Sequence, residues 1–241
     1  MGNFSGVHVG STGAIIATSG TIDLTGQGGD DAGTGGHRGV LIQGNVQSAD
    51  GDITIAGTGG NGTDQNQGVT IDNQFASNAR VRTTQMGHVI IDGTGGATVT
   101  ADKNKGVLLE AGGEISAYGS GTITVTGAGS SGGTVSQHGV SGVGGSLIRS
   151  NNGSISITGT AGGVPATSDG VNLGNTAVGD GTTTGAINIT TDSIDLSGTT
   201  VVRSTGNLVI SPETATTSIG LGGAAGALNL TDTEIGALMD G

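Results

Sequence analysis

Aliphatic and small polar residues alternate in a glycine-led phrase that occurs seven times, for example Gly51-Asp-Ile-Thr-Ile55. Alternation with a period of two is typical of a β-strand, whose successive side chains point to opposite faces. The aliphatic pairs are Ile22 and Leu24, Ile53 and Ile55, Val89 and Ile91, Ile123 and Val125, Ile155 and Ile157, Ile187 and Ile189, and Leu208 and Ile210. Each phrase predicts one short strand, and their recurrence indicates a repeat architecture.

Two further phrases separate successive copies of the first. A Gly-Val phrase begins at Gly6, Gly39, Gly68, Gly106, Gly139 and Gly170. A weaker one surrounds Ile15, Val46, Val81, Ile115 and Ile148. One repeat therefore consists of three strands in roughly 32 residues, a length typical of repeat proteins.

The repeats differ in length at one corner, between the alternating phrase and the next Gly-Val. The inserted segments are 27–38, 58–67, 94–105, 128–138 and 160–169, whereas only Asp192 stands there in the sixth repeat. Without an insertion, the circuit from Gly185 to Gly206 spans 21 residues. Three strands in such a circuit predict one turn of a parallel β-helix, with the corner loops facing water.

The predicted fold is all-β, a single right-handed parallel β-helix (β-solenoid) of about seven three-strand rungs. Its handedness follows the rule for parallel crossovers. We expect one domain over 1–241, with regular rungs over 6–211 and irregular rungs over 212–241. The spacing of Thr231 and Glu234 predicts a capping box and a short helix at about 232–239, as a cap or a junction. Ile235, Leu238 and Met239 would share one face of it.

The composition fits a thin repetitive core. The chain has 241 residues, of which 53 are Gly, two are Phe, one is Tyr and none is Trp or Cys. Glycine without a G-X-Y period excludes collagen, and the regular aliphatic pattern argues against disorder. Identical β-branched residues stacked in register can fill a narrow core without aromatic side chains.

The formal net charge is −12, from nineteen Asp and Glu against seven scattered Lys and Arg. Nucleic acid is excluded as a partner because its binding needs a positive footprint. No apolar run is long enough for a membrane span, so we expect no membrane insertion. The absence of Cys excludes disulfides and thiolate metal sites.

Carboxylates in the corner segments are weak candidates for a calcium site, since calcium prefers oxygen ligands. They are Asp30, Asp31, Asp64, Asp102 and Asp169, with amide oxygens of Asn61, Asn66 and Asn104 nearby. The favoured interpretation of these carboxylates is that they lie in solvated turns and bind no metal ion. His8, His37, His88 and His138 fall in different repeats and are interpreted as surface histidines.

Catalytic chemistry finds little support in the sequence, and we expect no enzymatic activity and no cofactor. The Gly-rich corners lack the Gly-Lys-Ser/Thr of a phosphate loop. Asp23, Asp52 and Asp92 occupy outward strand positions, but nothing basic accompanies them as a carbohydrate-cleaving site would require. No catalytic residue is assigned.

Two stretches carry a resemblance to a known family. Gly51-Asp-Ile-Thr-Ile-Ala-Gly-Thr-Gly-Gly60, followed by Gly68-Val-Thr-Ile71, resembles the repeats of very large bacterial surface proteins related to filamentous haemagglutinin. Ile219-Gly-Leu-Gly-Gly-Ala-Ala-Gly-Ala-Leu-Asn-Leu230 with Thr231-Asp-Thr-Glu-Ile235 is similar to their inter-repeat segments. The resemblance implies secretion, a β-helical shaft, and adhesion, cell contact or envelope structure. The chain is shorter than such proteins and lacks their secretion domain, which suggests a fragment.

The expected function is therefore a non-enzymatic structural or adhesive shaft segment of a large secreted or cell-surface bacterial protein. Its partners would be a host or neighbouring cell surface, a glycan or another envelope component. An open terminal rung also allows end-to-end self-association, because unpaired strand edges recruit further strands. One alternative is a β-helix protein that binds or degrades polysaccharide. Another is a secreted module stabilised by calcium.

Overall fold

The computed structural model describes residues 4–74, 79–96, 103–163 and 167–240. Twenty-two strands and one short helix form this part of the chain. Every strand pair in it is parallel, and the strands stack into three columns as the chain coils upward. The predicted β-solenoid of about seven turns is thereby confirmed, while its right-handed sense stays a prediction.

The first column is built from the Gly-Val phrases. It contains β1 (Val7–Val9), β4 (Val40–Ile42), β7 (Val69–Asp72), β10 (Val107–Glu110), the first parts of β13 (Val140–Ser150) and β15 (Val171–Gly179), and β17 (Ile194–Ser197). The second column is built from the weaker phrases. It contains β2 (Ala14–Ala17), β5 (Asn45–Ser48), β8 (Arg80–Thr83), β11 (Glu114–Ala117), the second parts of β13 and β15, and β18 (Val201–Ser204).

The third column is built from the alternating phrases. It contains β3 (Ile22–Gln27), β6 (Ile53–Thr58), β9 (Val89–Thr94), β12 (Ile123–Ala128), β14 (Ile155–Thr160), β16 (Ile187–Thr191) and β19 (Leu208–Ser211). Ile53 pairs with Val89, which in turn lies below Ile123, as the repeat predicts. The register continues to Leu208 at the top. These side chains form the centre of one aliphatic core, and burying them supplies the main stabilisation of the coil.

Each long corner loop is closed at its base by two facing glycines. Gly57 of β6 lies against Gly68, which precedes β7, and a Cβ on either would meet backbone atoms of the corner. The same pairing occurs at Gly26 and Gly39, Gly93 and Gly106, Gly127 and Gly139, and Gly159 and Gly170. We call each such pair a glycine neck. In the sixth turn, Thr191 occupies the glycine position, and no long loop follows.

The segment after Pro212 closes part of the upper end. It contains β20 (Ile219–Leu221), β21 (Leu228–Leu230), α1 (Asp232–Gly236) and β22 (Leu238–Asp240). The predicted capping box between Thr231 and Glu234 is present. The prediction that the helix continues to residue 239 is wrong, because Leu238 and Met239 instead pair in parallel with Val202 and Arg203 of β18.

Glu234 joins this segment to the coil. Its Oε1 accepts a hydrogen bond of 3.1 Å from the backbone N–H of Leu196, on the upper edge of β17. Its Oε2 accepts one of 2.8 Å from the N–H of Thr231. The helix therefore covers the upper end of the first column while β22 extends the second, as a cap would.

Candidate functional site

The outer face of the first column carries side chains that are buried although they point away from the core. Leu41, Thr70, Leu108 and Ser141 follow one another in register on β4, β7, β10 and β13. Leu41 and Leu108 are 7 % and 4 % exposed, yet neither belongs to the aliphatic core. Period-two alternation would place them in solvent, so flanking side chains must cover this face.

Two polar rows flank these residues. The residues that precede the strands form one row, consisting of Arg38, Gln67, Lys105, His138 and Asp169. The residues towards the ends of the strands form the other, consisting of Gln43, Asp72 and Glu110. Asp72 and Glu110 are register partners on β7 and β10, so their Cα atoms are separated by one strand spacing of about 4.8 Å.

A cleft of about 390 Å³ opens between these rows over the first four turns. Its lining residues are Ser5, His8, Arg38, Leu41, Gln43, Gln65, Asp72, Gln74 and Glu110. Its volume lies within the ~300–1,000 Å³ of small-molecule sites. We refer to it as the first-column cleft.

A chain of hydrogen bonds fixes one wall of the first-column cleft. Nε2 of His8 lies 3.0 Å from Oε1 of Gln43, and Nε2 of Gln43 donates to Oδ2 of Asp72 at 3.0 Å. The other carboxylate oxygen of Asp72 accepts from the backbone N–H of Gln74 at 2.8 Å. Because Gln43 donates through its amide nitrogen, its oxygen accepts from His8, which places a proton on Nε2 of the ring.

Three charged side chains of the two rows, Arg38, Lys105 and Glu110, form no hydrogen bond or ion pair among the described residues. Burial raises the pKa of the Glu110 carboxyl, and the neighbouring Asp72 raises it further against the opposing effect of Arg38 and Lys105. Burial likewise lowers the pKa of Lys105, although the attraction of Glu110 opposes this shift. Charged groups held partly out of water without partners are typical of binding sites.

The base of the same face also holds unpaired polar atoms. The hydroxyl oxygens of Thr70 and Ser141, and the amide oxygen of Gln67, are buried without a hydrogen-bond partner. A buried polar atom without a partner costs free energy in a folded protein, and these three lie on the face that carries the cleft.

A second polar column lies inside the corner loops, and its role is structural. Oδ1 of Asn66 accepts from the N–H of His37 at 3.1 Å, and Oδ1 of Asn104 accepts from the N–H of Asn66 at 2.8 Å. The series continues through Oε1 of Gln137 and Oγ of Ser168, at 3.0 and 2.9 Å. Each side chain thereby satisfies the backbone of the turn below. The amide oxygens of Asn66 and Asn104, which lie near the weak calcium candidates in the sequence, are already used in this way.

The interpretation of all four histidines as surface residues is wrong for two of them. His37 is fully buried, stacks on Phe4 with ring centroids 5.5 Å apart, and places Nε2 3.1 Å from the Thr34 hydroxyl. His138 is 7 % exposed. Both lie outside the regular strands, at the end of a corner segment, where alternation no longer predicts burial.

His138 has a strongly perturbed environment. Burial, assisted by the nearby positive charge of Lys105, lowers its pKa to about 4. Its Nδ1 accepts a hydrogen bond of 3.0 Å from the N–H of Asp169, which requires an unprotonated nitrogen. The 3.5 Å separation between this nitrogen and the Asp169 carboxylate is therefore not an ion pair at neutral pH.

The calcium candidates are separated among different corners. Both Asp31 oxygens accept within their own loop, from the Gly33 N–H and the Thr34 hydroxyl at 3.0 Å each, and these bonds lower its pKa. Asp30 forms an isolated backbone bridge with Asn61, and Asp64 lies in the corner after it. Asp102 lies outside the described residues. In the described part of the chain, no three His, Cys, Asp or Glu side chains lie close enough to hold a metal ion.

Asp169 lies close to two other acids, at the upper end of the first column. Nδ2 of Asn172 donates to Asp169 at 3.2 Å and to Asp195 at 2.9 Å. Burial raises the pKa of Asp169, and the charges of Asp195 and Glu234 raise it further. Asn172 thus bridges two acids that would otherwise repel each other.

The outward acids considered for catalysis do not form a site with a base. Asp23 and Asp92 are exposed on the third column, and Asp52 accepts from the N–H of His88 at 2.8 Å. Asp72 and Glu110 lie on another face, in the cleft that Arg38 also lines. A signal for them exists in the sequence, because each stands three residues after the valine of a Gly-Val phrase.

Comparison with known proteins gives no match to a family model, a curated protein or a solved structure. No helix in the described part of the chain is long and apolar enough to cross a membrane.

Proposed function

We propose that the chain is a structural segment of a large secreted or cell-surface bacterial protein, in which it serves as a stiff, non-enzymatic shaft. The observation that supports this role most directly is the continuous aliphatic ladder from Ile22 to Leu208, which holds all seven turns in register. A rod stabilised by identical neighbouring layers resists bending and can be lengthened turn by turn.

Adhesive contacts in this proposal are made by the corner loops and the outer faces, because these vary while the core repeats. The partners would be a host or neighbouring cell surface, a glycan or another envelope component. The lower edges of β1, β2 and β3 are unpaired among the described residues, which supports stacking on a further coil or end-to-end self-association.

Localisation tests the proposal. Antibodies against the chain would be applied to intact and permeabilised cells that carry the natural gene, followed by immunogold electron microscopy. We expect gold particles outside intact cells, on extended structures. Labelling confined to the interior of permeabilised cells would contradict the proposal.

A second candidate function, polysaccharide binding, is favoured by one observation. The first-column cleft brings acids and bases together, as a saccharide-recognising β-helix would require.

A further inference from the structure

We propose that the first-column cleft binds a short uncharged oligosaccharide, held between Arg38 on one wall and the Gln43–Asp72–Glu110 row on the other. This goes beyond the shaft role, since a shaft needs no binding cleft. The inference depends on the charge balance, the hydrogen-bonding groups and the dimensions of the cleft.

The charges favour a ligand without net charge. Two cationic side chains, Arg38 and Lys105, face or flank two carboxyl groups, Asp72 and Glu110, so the local formal charge is balanced. A polyanionic saccharide would also meet the overall charge of −12. A cationic ligand would lose at Arg38 and Lys105 the attraction that it gains at the two carboxyl groups of the cleft.

The hydrogen-bonding groups suit hydroxyls. Gln43, Asp72 and Glu110 stand on successive turns, about 4.8 Å apart. The Glu110 carboxyl forms no hydrogen bond among the described residues, and the oxygens of Gln43 and Asp72 each keep a second lone pair that can accept from a sugar hydroxyl. Across the cleft, the Arg38 guanidinium has free donors for hydroxyl and ring oxygens. A sugar hydroxyl both donates and accepts, so a single saccharide can satisfy both walls at once.

The shape suits a chain of sugars. The lining residues run from Ser5 in the first turn to Glu110 in the fourth, a distance of three strand spacings or about 14 Å. Leu41 lies on the floor and offers an apolar contact for the C–H face of a sugar ring. The network of His8, Gln43 and Asp72 holds its acceptors in place before the ligand arrives, which reduces the ordering cost of binding.

Binding would be measured by isothermal titration calorimetry on the 241-residue chain. The probes are the neutral hexasaccharides of β-1,4-linked glucose, mannose and N-acetylglucosamine, with the hexasaccharide of galacturonic acid as an acidic comparison. The cleft variants are Asp72→Asn, Glu110→Gln and Arg38→Gln. The matched control for the two acidic variants is Asp92→Asn, which removes one negative charge at an exposed position on the third column. Thermal melts verify folding of each variant.

We expect at least one neutral hexasaccharide to bind, with an affinity that falls about tenfold or more in folded cleft variants and stays within about twofold in the control. No binding of any neutral probe would overturn the proposal. So would neutral binding that the cleft variants leave unchanged, or binding of the acidic probe alone. Release of new reducing ends during incubation would instead contradict the non-enzymatic role, and none of these results alters the localisation test of the shaft.

Discussion

Gly57 and Gly68 lie face to face at the base of a corner loop, so close that a Cβ on Gly57 would collide with the carbonyl oxygen of Gly68. The chain leaves the coil at the first glycine and returns at the second. The close approach lets a loop of ten residues project outward without widening the rung beneath it.

Replacing Gly57 with alanine should therefore destabilise the coil strongly. The added methyl group meets rigid backbone, and overpacking of this kind costs about 1–3 kcal/mol or more. Urea denaturation would measure the change in the free energy of unfolding. Gly20→Ala is the control, since a Cβ there meets nothing within 4 Å. Equal stability of the two variants would show that the neck tolerates side chains.

The polar column inside the corner loops predicts that Asn66→Ala lowers the free energy of unfolding. Removing the amide leaves the buried N–H of His37 without its acceptor, a loss of about 1–3 kcal/mol. Asn61→Ala in the same loop is the control, because the Asn61 side chain is exposed. Urea denaturation at neutral pH compares the two variants. Indistinguishable unfolding midpoints would show that the polar column contributes nothing to stability.

His138 should make the protein less stable in mild acid. The unfolded chain takes up a proton near its ordinary pKa of 6.5, whereas the folded protein resists until about pH 4. Stability is therefore lost as the pH falls between these values, by up to about 3 kcal/mol. Unfolding free energies measured from pH 7 to 4 should fall less steeply in His138→Gln. Equal slopes in the wild-type protein and in His138→Gln would contradict the assignment.

The cap at the upper end depends on one carboxylate. Glu234→Ala removes the acceptor for the N–H groups of Leu196 and Thr231, so we expect a loss of about 1–3 kcal/mol. Hydrogen exchange would locate the effect, with faster exchange at Leu196 than in the central turns. Glu213→Ala serves as the control, since that exposed carboxylate accepts a hydrogen bond from no described residue except Thr160, through its hydroxyl. Unchanged exchange at Leu196 would count against the capping role.

The calcium alternative predicts a melting temperature that rises with calcium and falls with a chelator. We expect neither change. The carboxylate of Asp31 is already bonded within its loop, and Asp169 shares Asn172 with Asp195. Differential scanning fluorimetry with calcium chloride or EDTA decides the matter. A rise that grows with calcium concentration would restore the calcium-stabilised module.

The sequence predicts the stacking of the turns well because period-two alternation and a fixed repeat determine register together. Ile53, Val89 and Ile123 had to stack if their phrases were equivalent, and they do. The capping box of Thr231 could also be predicted from the sequence, since it depends on local spacing. The end of that helix could not be predicted in this way, because the pairing of Leu238 with β18 is a long-range contact.

The candidate site was less accessible from the sequence for a physical reason. Leu41 and Leu108 occupy outward positions, and only the three-dimensional placement of Arg38, Asp72 and Glu110 around them reveals a cleft. Short-range patterns describe which face a side chain takes, but they do not describe what neighbouring turns place over that face. The buried histidines were missed for the same reason.

The glycine necks have a consequence for how such a surface can change. At the sixth corner, Thr191 takes the glycine position, its hydroxyl bonds to Gly159 O at 2.9 Å, and the coil continues with a two-residue link. The same coil therefore accepts a corner insertion of twelve residues in one turn and almost no insertion in another. Foreign peptides grafted between paired glycines would be displayed in a row with about 4.8 Å between neighbouring turns, so natural diversification and deliberate antigen display could use the same glycine necks.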